Sequence, residues 1–286
     1  MSGMLKFLAR LLLAFAACCP ARADYTADWV EFPALKPFEG VPVRLAAVLF
    51  KPDGAGPFPA VVMLHGCGGM LTRSGNLTAS FTLWAERLAR NGYVALLPDS
   101  LNPRGQRSLC EQQKRTILES RERVDDAYAA RQWLAQQAYV ATDRIGLIGW
   151  SNGASGTLYG MREIQPHRGF RAAVAFYPGC RTLSKKPYAP YAPLLILIGE
   201  ADDWTPAAPC VEMAKRAKAD GAPIDIVTYP GAHHSFDRIN VPVRYRPEVR
   251  NLNKPDRLGA TVGEHPQARA DAMKRTLEFF ERTLKN

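Results

Sequence analysis

Three residue types that can together activate a nucleophile occur along this chain in the order serine, aspartate, histidine. Ser151 lies in the stretch Gly-Trp-Ser-Asn-Gly, with Gly149 and Gly153 two positions away on either side. A serine hydroxyl becomes an effective nucleophile only when a base takes its proton. The two glycines and the preceding apolar run predict a sharp strand-to-helix turn that presents the hydroxyl at its tip.

The candidate partners of this serine follow two later apolar runs. Asp202 and Asp203 lie in GEADDWTP, and His233 and His234 lie in YPGAHHSFD. In a triad the imidazole takes the serine proton, and the carboxylate orients the imidazole and stabilises its charged form. Because a triad uses one acid and one base, one member of each pair is a bystander. The pattern predicts acyl-transfer chemistry and leaves both choices open at this point.

An oxyanion hole is expected where a glycine-rich loop, His-Gly-Cys-Gly-Gly at 65–69, follows an apolar run. Such a site needs backbone N–H groups from this loop and from the residue after the nucleophile. We therefore assign the two donors to the backbone N–H groups of Cys67 and Asn152. His65 is expected to steady the loop rather than to act as a second base. The Cys67 thiol lacks the sharp turn that a nucleophile requires.

These residues must be positioned by elements that alternate along the chain. Short apolar runs predict strands, and segments with helical spacing of apolar residues predict helices. The predicted strands are 41–50 at a sheet edge, 60–64, 94–98, 145–149, 172–176, 194–198 and 224–229, and the predicted helices are 81–90, 119–137, 210–218 and 267–284. This alternation predicts an α/β fold with a mostly parallel central sheet and helices on both faces. Ligands of such sheets bind at the carboxyl ends of the strands, where the candidate residues lie.

The first 23 residues have the pattern of a secretory signal peptide. A basic start is followed by a short apolar core at 11–19 and by Ala-Arg-Ala, a small-x-small cleavage site. Cleavage would leave one domain, 24–286, exported to the periplasm or the medium and without a membrane span. A lipoprotein anchor at Cys18 is a minor alternative.

Composition excludes several functional classes. The 37 basic and 27 acidic residues give a net charge of +10, and loss of Lys6, Arg10 and Arg22 with the signal leaves 34 minus 27, or +7. The basic residues are scattered, so we expect no nucleic-acid partner, only attraction for anionic substrates. No Cys-x-x-Cys or His-x-x-x-His pattern is present, and we expect no metal and no cofactor. The expected partner is a small-molecule ester, and no oligomeric state is predicted.

Four cysteines remain after signal cleavage, an even number that permits disulfides in an exported protein. Cys180 ends one predicted strand segment, and Cys210 begins the helix after the next strand. Strands that follow each other in sequence often lie side by side, so we predict a Cys180–Cys210 disulfide. Cys67 and Cys110 then pair with each other or stay free.

The sequence resembles the dienelactone hydrolase family of the α/β-hydrolase superfamily. The stretches that carry the resemblance are HGCGG (65–69), PDSLNPRG (98–105), GWSNG (149–153), FYPGC (176–180), GEADDWTP (199–206) and AHHSF (232–236). The resemblance implies an α/β-hydrolase fold. It also implies that Asp202, four residues before Pro206, is the acid and that His234, directly before Ser-Phe, is the base. The family's namesake enzymes carry cysteine where this chain has Ser151, which implies a serine-nucleophile variant.

The function expected from these residues is hydrolysis of carboxylic esters, or lactones, through an acyl-Ser151 intermediate. One alternative is a prolyl oligopeptidase-like peptidase. Another is a catalytically silent periplasmic binding protein on the same scaffold. Absence of a triad residue would support this second alternative, but the sequence contains all three. The polar connections 101–118 and 238–264 are expected to shape the pocket.

Overall fold

A central sheet of eight strands organises the chain. The computed structural model describes residues 25–162 and 169–286, so the predicted signal peptide lies outside the described residues. The strands are β1 (Tyr25–Pro33), β2 (Arg44–Pro52), β3 (Phe58–Leu64), β4 (Val94–Pro98), β5 (Val140–Trp150), β6 (Ala173–Phe176), β7 (Leu194–Gly199) and β8 (Ile224–Tyr229). Their order is β1-β2-β4-β3-β5-β6-β7-β8. Strands β3 to β8 run parallel, while β1 and β2 are antiparallel to their neighbours. The predicted mostly parallel sheet is therefore confirmed.

Among the described residues, five helices cover the two faces of the sheet. They are α1 (Ala79–Arg90), α2 (Glu122–Ala135), α3 (Asn152–Gly160), α4 (Ala207–Ala219) and α5 (Pro266–Phe280), which continues as a π-helical turn, Glu281–Lys285. Two glycines of β5 show that helices lie on opposite faces. A Cβ at Gly146 would lie 2.9 Å from Leu284 after α5, and a Cβ at Gly149 would lie 2.5 Å from Thr157 of α3. Residues three apart on a strand point to opposite sides, so α3 and the C-terminal helix sandwich the sheet.

The core explains why the central strands form where the sequence predicts them. Every residue of β4, β6 and β7 is buried. Strands covered by helices on both faces have no solvent-facing positions and therefore form continuous apolar runs. A cluster of three rings, Trp84, Trp150 and Phe176, lies directly behind the strand ends, with centroid separations from 5.1 to 5.7 Å. This cluster supports the carboxyl edge of the sheet.

One prediction about the sheet differs from the structure, and one predicted connection contains a small sheet of its own. The segment 41–50 is not the edge strand, because β1 pairs antiparallel with β2 outside it. Most of β1 is exposed, and its charged residues break the apolar alternation by which a strand is recognised. The polar connection 238–264 contains a hairpin of β9 (Arg244–Arg250) and β10 (Leu258–Val262). In β9 only Val249 is buried, so the strand leaves no hydrophobic pattern in the sequence.

Both pairs of cysteines form disulfides. Cys180 is joined to Cys210, as predicted, with 5.0 Å between their Cα atoms. Cys67 is joined to Cys110, also with 5.0 Å between Cα atoms, which is one of the two options that the sequence left open. The second bridge ties the glycine-rich loop after β3 to the irregular segment after β4.

Within residues 25–162 and 169–286, no helix combines the length and apolar character needed to cross a membrane. The same part of the chain holds no group of three or more histidine, cysteine or acidic side chains suited to a metal ion.

Candidate active site

Ser151 occupies the sharp turn between β5 and α3. Its backbone angles are φ 53° and ψ −114°, in the positive-φ region that non-glycine residues seldom adopt. The glycines around it are required by close packing of this turn. A Cβ at Gly149 would lie 2.5 Å from the carbonyl oxygen of Gly153, and a Cβ at Gly153 would lie 2.1 Å from that of Leu64. Any larger residue at either position would push α3 away from the sheet.

A chain of hydrogen bonds connects Ser151 with the loops after β7 and β8. The Ser151 Oγ lies 2.9 Å from His234 Nε2, and His234 Nδ1 lies 2.8 Å from Asp202 Oδ2. The histidine and the aspartate are both buried. In the neutral tautomer that carries a proton on Nδ1, the serine hydroxyl donates to Nε2 and the imidazole donates to the carboxylate. This arrangement can move a proton from the serine to the imidazole.

The Asp202 carboxylate and the imidazole are held firmly in place. Asp202 Oδ1 accepts from the backbone N–H groups of Trp204 and Thr205, at 2.9 and 2.8 Å, and its Oδ2 accepts from the Thr205 hydroxyl at 2.9 Å. The Tyr177 and Trp204 rings lie 4.7 and 4.8 Å from the His234 ring, centroid to centroid. A group that is locked by packing and hydrogen bonds needs little reorganisation during a reaction.

The neighbouring residues of each candidate pair point elsewhere. Asp203 accepts a hydrogen bond from the Thr261 backbone N–H at 2.7 Å and forms an ion pair with Lys254 at 3.2 Å. It therefore holds the β9–β10 hairpin. His233 Nδ1 lies 3.0 Å from the Ala201 carbonyl oxygen. Of the two pairs, the structure brings Asp202 and His234 to Ser151.

The glycine-rich loop after β3 passes beside Ser151. A Cβ at Gly66 would lie 3.5 Å from the Ser151 Cβ, so the backbone at 66–67 approaches the serine closely. Asn152 begins α3 directly after the serine, and its side-chain amide donates to Glu119 Oε1 at 2.5 Å. The two residues whose backbone N–H groups were assigned to the oxyanion hole thus lie on either side of Ser151.

His65 at the start of this loop is buried in a hydrogen-bond network. Its Nδ1 donates to the Gly66 carbonyl oxygen at 2.8 Å, and its Nε2 accepts from the Ser100 backbone N–H at 3.2 Å and from Arg123 at 3.0 Å. Burial, followed by the Arg123 guanidinium, lowers the pKa of His65 to about 3. The neutral ring steadies the loop, as the sequence analysis expected.

Asp237 is a buried residue near the site that the sequence analysis missed. Its carboxylate accepts from the indole N–H groups of Trp84 and Trp150, at 2.8 and 2.7 Å, and from the Tyr177 hydroxyl at 2.6 Å. It thereby connects the residue before Ser151 with the segment that follows His234. Its position three residues after His234 was the one feature of the sequence that could have indicated a role near the site. The partners of its carboxylate lie 60 to 153 residues away in sequence, so local spacing does not predict them.

Ser151 lies between two cavities. We call the first, of about 730 Å³, the cationic lobe because six cationic side chains line it: Lys114, Arg115, Arg181, Lys185, Arg250 and Arg257. We call the second, of about 850 Å³, the aromatic lobe because five rings line it besides His234: Phe81, Trp84, Trp150, Tyr177 and Trp204. The segment 101–118 and the β9–β10 hairpin both contribute to these walls, as predicted. A pocket of this size accommodates a small organic molecule.

Comparisons with known proteins identify the family. The model of the dienelactone hydrolase family matches residues 45–284. A protein from Bradyrhizobium sp, named "Probable 2-oxo-3-(5-oxofuran-2-ylidene)propanoate lactonase", is 29% identical over 204 residues, which cover 66% of this chain and 78% of that protein.

Solved structures with lower identity share the fold. A dienelactone hydrolase-like promiscuous phosphotriesterase from metagenomic libraries has a TM-score of 0.64 at 17% identity, covering 90% of this chain and 98% of that one. Acylaminoacyl peptidase from Pyrococcus horikoshii has a TM-score of 0.63 at 18% identity, covering 92% of this chain but 42% of the peptidase. With an α/β-hydrolase fold and a family match that spans most of its length, the chain belongs to the dienelactone hydrolase family.

Proposed function

We propose that this hydrolase cleaves carboxylic esters or lactones through an acyl intermediate on Ser151. The observation that carries the proposal is the hydrogen-bond chain from Ser151 Oγ through His234 to Asp202, with links of 2.9 and 2.8 Å. Distances in this range allow proton transfer between heavy atoms.

Acylation follows from this geometry in two steps. His234 Nε2 takes the proton of Ser151 as Oγ attacks the carbonyl carbon, and Asp202 stabilises the resulting imidazolium. The carbonyl oxygen becomes an oxyanion and accepts hydrogen bonds from the backbone N–H groups of Cys67 and Asn152. When the tetrahedral intermediate collapses, the bond to the alcohol oxygen breaks, and the imidazolium protonates that oxygen.

Deacylation repeats the same steps with water. His234 takes a proton from water as the oxygen attacks the acyl carbon, and the Ser151 oxygen leaves with that proton. Two catalytic roles therefore belong to one imidazole, which the Tyr177 and Trp204 rings and Asp202 hold in a fixed orientation. In a lactone the alcohol stays attached to the acyl group, so a ring-opened hydroxy acid is released after hydrolysis.

We also propose that the protein is a single exported domain, with residues 1–23 removed as a signal peptide. The two disulfides, Cys67–Cys110 and Cys180–Cys210, support this proposal because such bonds persist in oxidising compartments. Amino-terminal sequencing of protein from the periplasmic fraction tests it. A mature chain that begins at Met1 in the cytoplasmic fraction would refute export.

The decisive experiment for the reaction compares wild type with Ser151→Ala. Loss of the nucleophile from a triad lowers turnover on the order of a millionfold, so hydrolysis of short para-nitrophenyl esters should vanish. A fluorophosphonate probe should label the wild-type protein at Ser151 and leave the variant unlabelled. Retention of a tenth of wild-type turnover by the variant would refute the nucleophile.

Two further outcomes separate the alternatives. A wild-type protein that fails to react with the fluorophosphonate and hydrolyses no ester would be a binding protein on a hydrolase scaffold. A protein that cleaves aminoacyl anilides faster than the matched aminoacyl esters, relative to the uncatalysed rates, would be a peptidase.

A further inference from the structure

The cationic lobe has an unusual charge composition for a cavity that contains a proposed nucleophile. Among the described residues, six cationic side chains and one carboxylate, that of Glu119, line it. The Glu119 Oε1 already accepts from Arg115 at 2.7 Å and from the Asn152 side chain. In the part of the chain that the structure describes, no carboxylate lies within 4.0 Å of the other five: Lys114, Arg181, Lys185, Arg250 and Arg257.

Three segments that are far apart in sequence bring these charges together. Lys114 and Arg115 belong to the segment after β4, Arg181 and Lys185 follow β6, and Arg250 and Arg257 belong to the β9–β10 hairpin. The Arg181 guanidinium donates to the Leu252 carbonyl oxygen, which joins the second segment to the hairpin. The backbone N–H of Arg250 donates to the Cys110 carbonyl oxygen at 2.8 Å, which joins the hairpin to the first segment. The cations therefore line a single cavity whose three wall segments are joined by hydrogen bonds.

Arg250 shows most directly that the cations of this cavity are not fully paired. Its Nε is buried and has no hydrogen-bond partner among the described residues. Burial, followed by the nearby charge of Arg115, lowers the pKa of Arg250 from its usual value. An unpaired buried donor and mutual repulsion among cations both destabilise the protein, and an anion bound in the cavity would relieve the repulsion.

The opposite side of Ser151 differs in character. The aromatic lobe is lined by five arginines as well, and among the described residues only Arg246 has a carboxylate within 4.0 Å, Glu111 at 3.1 Å and Glu248 at 2.8 Å. Its inner wall is formed by aromatic rings such as Phe81 and Trp150. A substrate that spans Ser151 thus meets an aromatic wall on one side, where two carboxylates accompany the arginines, and on the other side six cations with a single carboxylate.

From these observations we propose that the substrate is an ester with two or more negatively charged groups at the end that occupies the cationic lobe. This inference rests on the proposed ester hydrolysis at Ser151 and specifies its substrate class. Guanidinium groups bind carboxylates and phosphates through paired hydrogen bonds, and a cavity lined by one sign of charge concentrates ligands of the opposite sign. The five lobe cations without a carboxylate partner suit two or more such groups.

Two pairs of probe esters test this proposal, with charge on either side of the ester bond. One pair is acetoxyisophthalate, with two carboxylates on the alcohol side, and its neutral bis(dimethylamide). The other is the mono-para-nitrophenyl ester of tricarballylic acid, with two carboxylates on the acyl side, and its neutral bis(dimethylamide). Rates with the Ser151→Ala protein are subtracted, because neighbouring carboxylates can promote uncatalysed hydrolysis.

We expect the charged member of at least one pair to have a kcat/KM at least about tenfold above that of its neutral counterpart at low ionic strength. This preference should fall as salt is added, since salt screens charges. In the double variant Arg250→Gln and Arg257→Gln, the ratio of charged to neutral kcat/KM should fall about tenfold, the loss of roughly 1.4 kcal/mol of differential binding.

A matched variant controls for net charge. Lys215 is exposed on α4 and lines neither lobe, so Lys215→Gln should leave the ratio unchanged. If Arg244→Gln in the aromatic lobe lowers the ratio and the double variant does not, the anion binds on the other side, and the proposal is wrong. Equal kcat/KM within both pairs would also overturn it, while leaving ester hydrolysis intact.

A binding measurement keeps the two proposals separable. Calorimetric titration of Ser151→Ala with each probe measures affinity without turnover. If wild type hydrolyses no probe, the hydrolytic proposal fails, and tighter binding of the dianion still supports an anion site in the cationic lobe. Equal affinity for charged and neutral probes refutes that site.

Discussion

At the scale of single residues, the adjacent aspartates Asp202 and Asp203 have entirely different partners. Asp202 points to the His234 imidazole, while Asp203 points away and holds the hairpin through Thr261 and Lys254. Consecutive residues in a turn project their side chains in different directions, so one backbone segment serves two purposes. The loop that carries the proposed acid is thereby also attached to a wall of the cationic lobe.

Replacement of each aspartate by asparagine distinguishes these roles. Asp202→Asn should lower kcat by roughly four orders of magnitude, because the amide favours the wrong imidazole tautomer. Asp203→Asn should keep most of the activity, since the amide oxygen still accepts from Thr261, and should cost roughly 1 kcal/mol of unfolding free energy. Steady-state kinetics and urea unfolding of both variants check this. The reverse ranking in kcat would show that the acid is misassigned.

Single replacements of the two histidines by alanine test the base. His234→Ala removes the only imidazole in contact with Ser151 Oγ among the described residues, and its kcat should fall at least a thousandfold, by roughly 4 kcal/mol or more. His233→Ala loses one hydrogen bond to the Ala201 carbonyl oxygen and should remain active. An inactive His233 variant beside an active His234 variant would contradict the proposal.

Local spacing was sufficient to predict the two pairs that supply the partners of Ser151, since each pair lies directly after a strand of the parallel sheet, and the family resemblance selected Asp202 and His234 within them. It was insufficient for the residues that support them. Asp237 and Arg123 act through partners that lie far away in sequence, such as Trp84 and His65. Nothing in the local pattern distinguishes a buried, hydrogen-bonded carboxylate or guanidinium from an exposed one.

At the scale of elements, the Cys67–Cys110 disulfide attaches the glycine-rich loop to the segment that follows β4. The backbone N–H of Leu109 donates to the Cys67 carbonyl oxygen at 2.8 Å, so the attachment is both covalent and hydrogen-bonded. Cys67 is one of the two proposed oxyanion donors. The disulfide should therefore fix the position of its N–H as well as stabilise the fold.

Paired serine replacements separate these two effects. One double variant is Cys67→Ser, Cys110→Ser, and the other is Cys180→Ser, Cys210→Ser. Each loses a disulfide that closes a loop, with sequence separations of 43 and 30, and loop entropy predicts a loss of about 4 kcal/mol of unfolding free energy for each. Only the first should also lower kcat, by about tenfold to a hundredfold, because a misplaced oxyanion donor loses part of its effect. Kinetics well below both melting temperatures give the comparison. Equal kcat losses would show that the bridge near Ser151 has no special role.

The elements that sequence analysis predicted and those that it missed differ in burial. Strands β4, β6 and β7 are fully buried, and a continuous apolar run identifies them. Strands β1 and β9 are mostly exposed and rich in charge. They are held by backbone pairing with β2 and β10, which leaves no periodic pattern in the residues.

For the molecule as a whole, buried charge links the sheet to the helices behind the site. Arg104 donates two hydrogen bonds of 2.8 Å to Asp126 of α2 in the interior. Arg123, also in α2, donates a hydrogen bond to His65. Burial raises the pKa of Asp126, and the Arg104 guanidinium opposes that rise. Because a raised pKa means that the folded state binds this proton more readily than the unfolded chain, the contribution of Asp126 to stability should decrease as pH rises through the acidic range.

The contribution of His65 has a definite sign. Its pKa is about 3 in the folded protein and about 6.5 in an unfolded chain, so the unfolded state binds the extra proton between these values. Unfolding free energy should therefore fall as pH decreases through this window, by at most about 1.4 kcal/mol per pH unit from this group.

Urea unfolding of wild type and His65→Gln at several pH values between about 7 and 5 measures this effect. The variant lacks the titrating imidazole, so its stability should depend less steeply on pH than that of wild type. Carboxylates contribute equally to both proteins, and the difference between the two slopes isolates His65. Parallel slopes would contradict a neutral, buried imidazole.

The backbone at Ser151, the proposed nucleophile, also restricts which side chains can occupy this position. A side chain branched at Cβ is strongly disfavoured at positive φ, and Ser151 has a φ of 53°. The backbone conformation of this turn therefore strongly disfavours threonine, although its hydroxyl resembles that of serine. Cysteine has the same branching as serine and differs from it by one atom. Replacement of Ser151 by cysteine should therefore exchange oxygen for sulfur at this position while the turn keeps its backbone conformation.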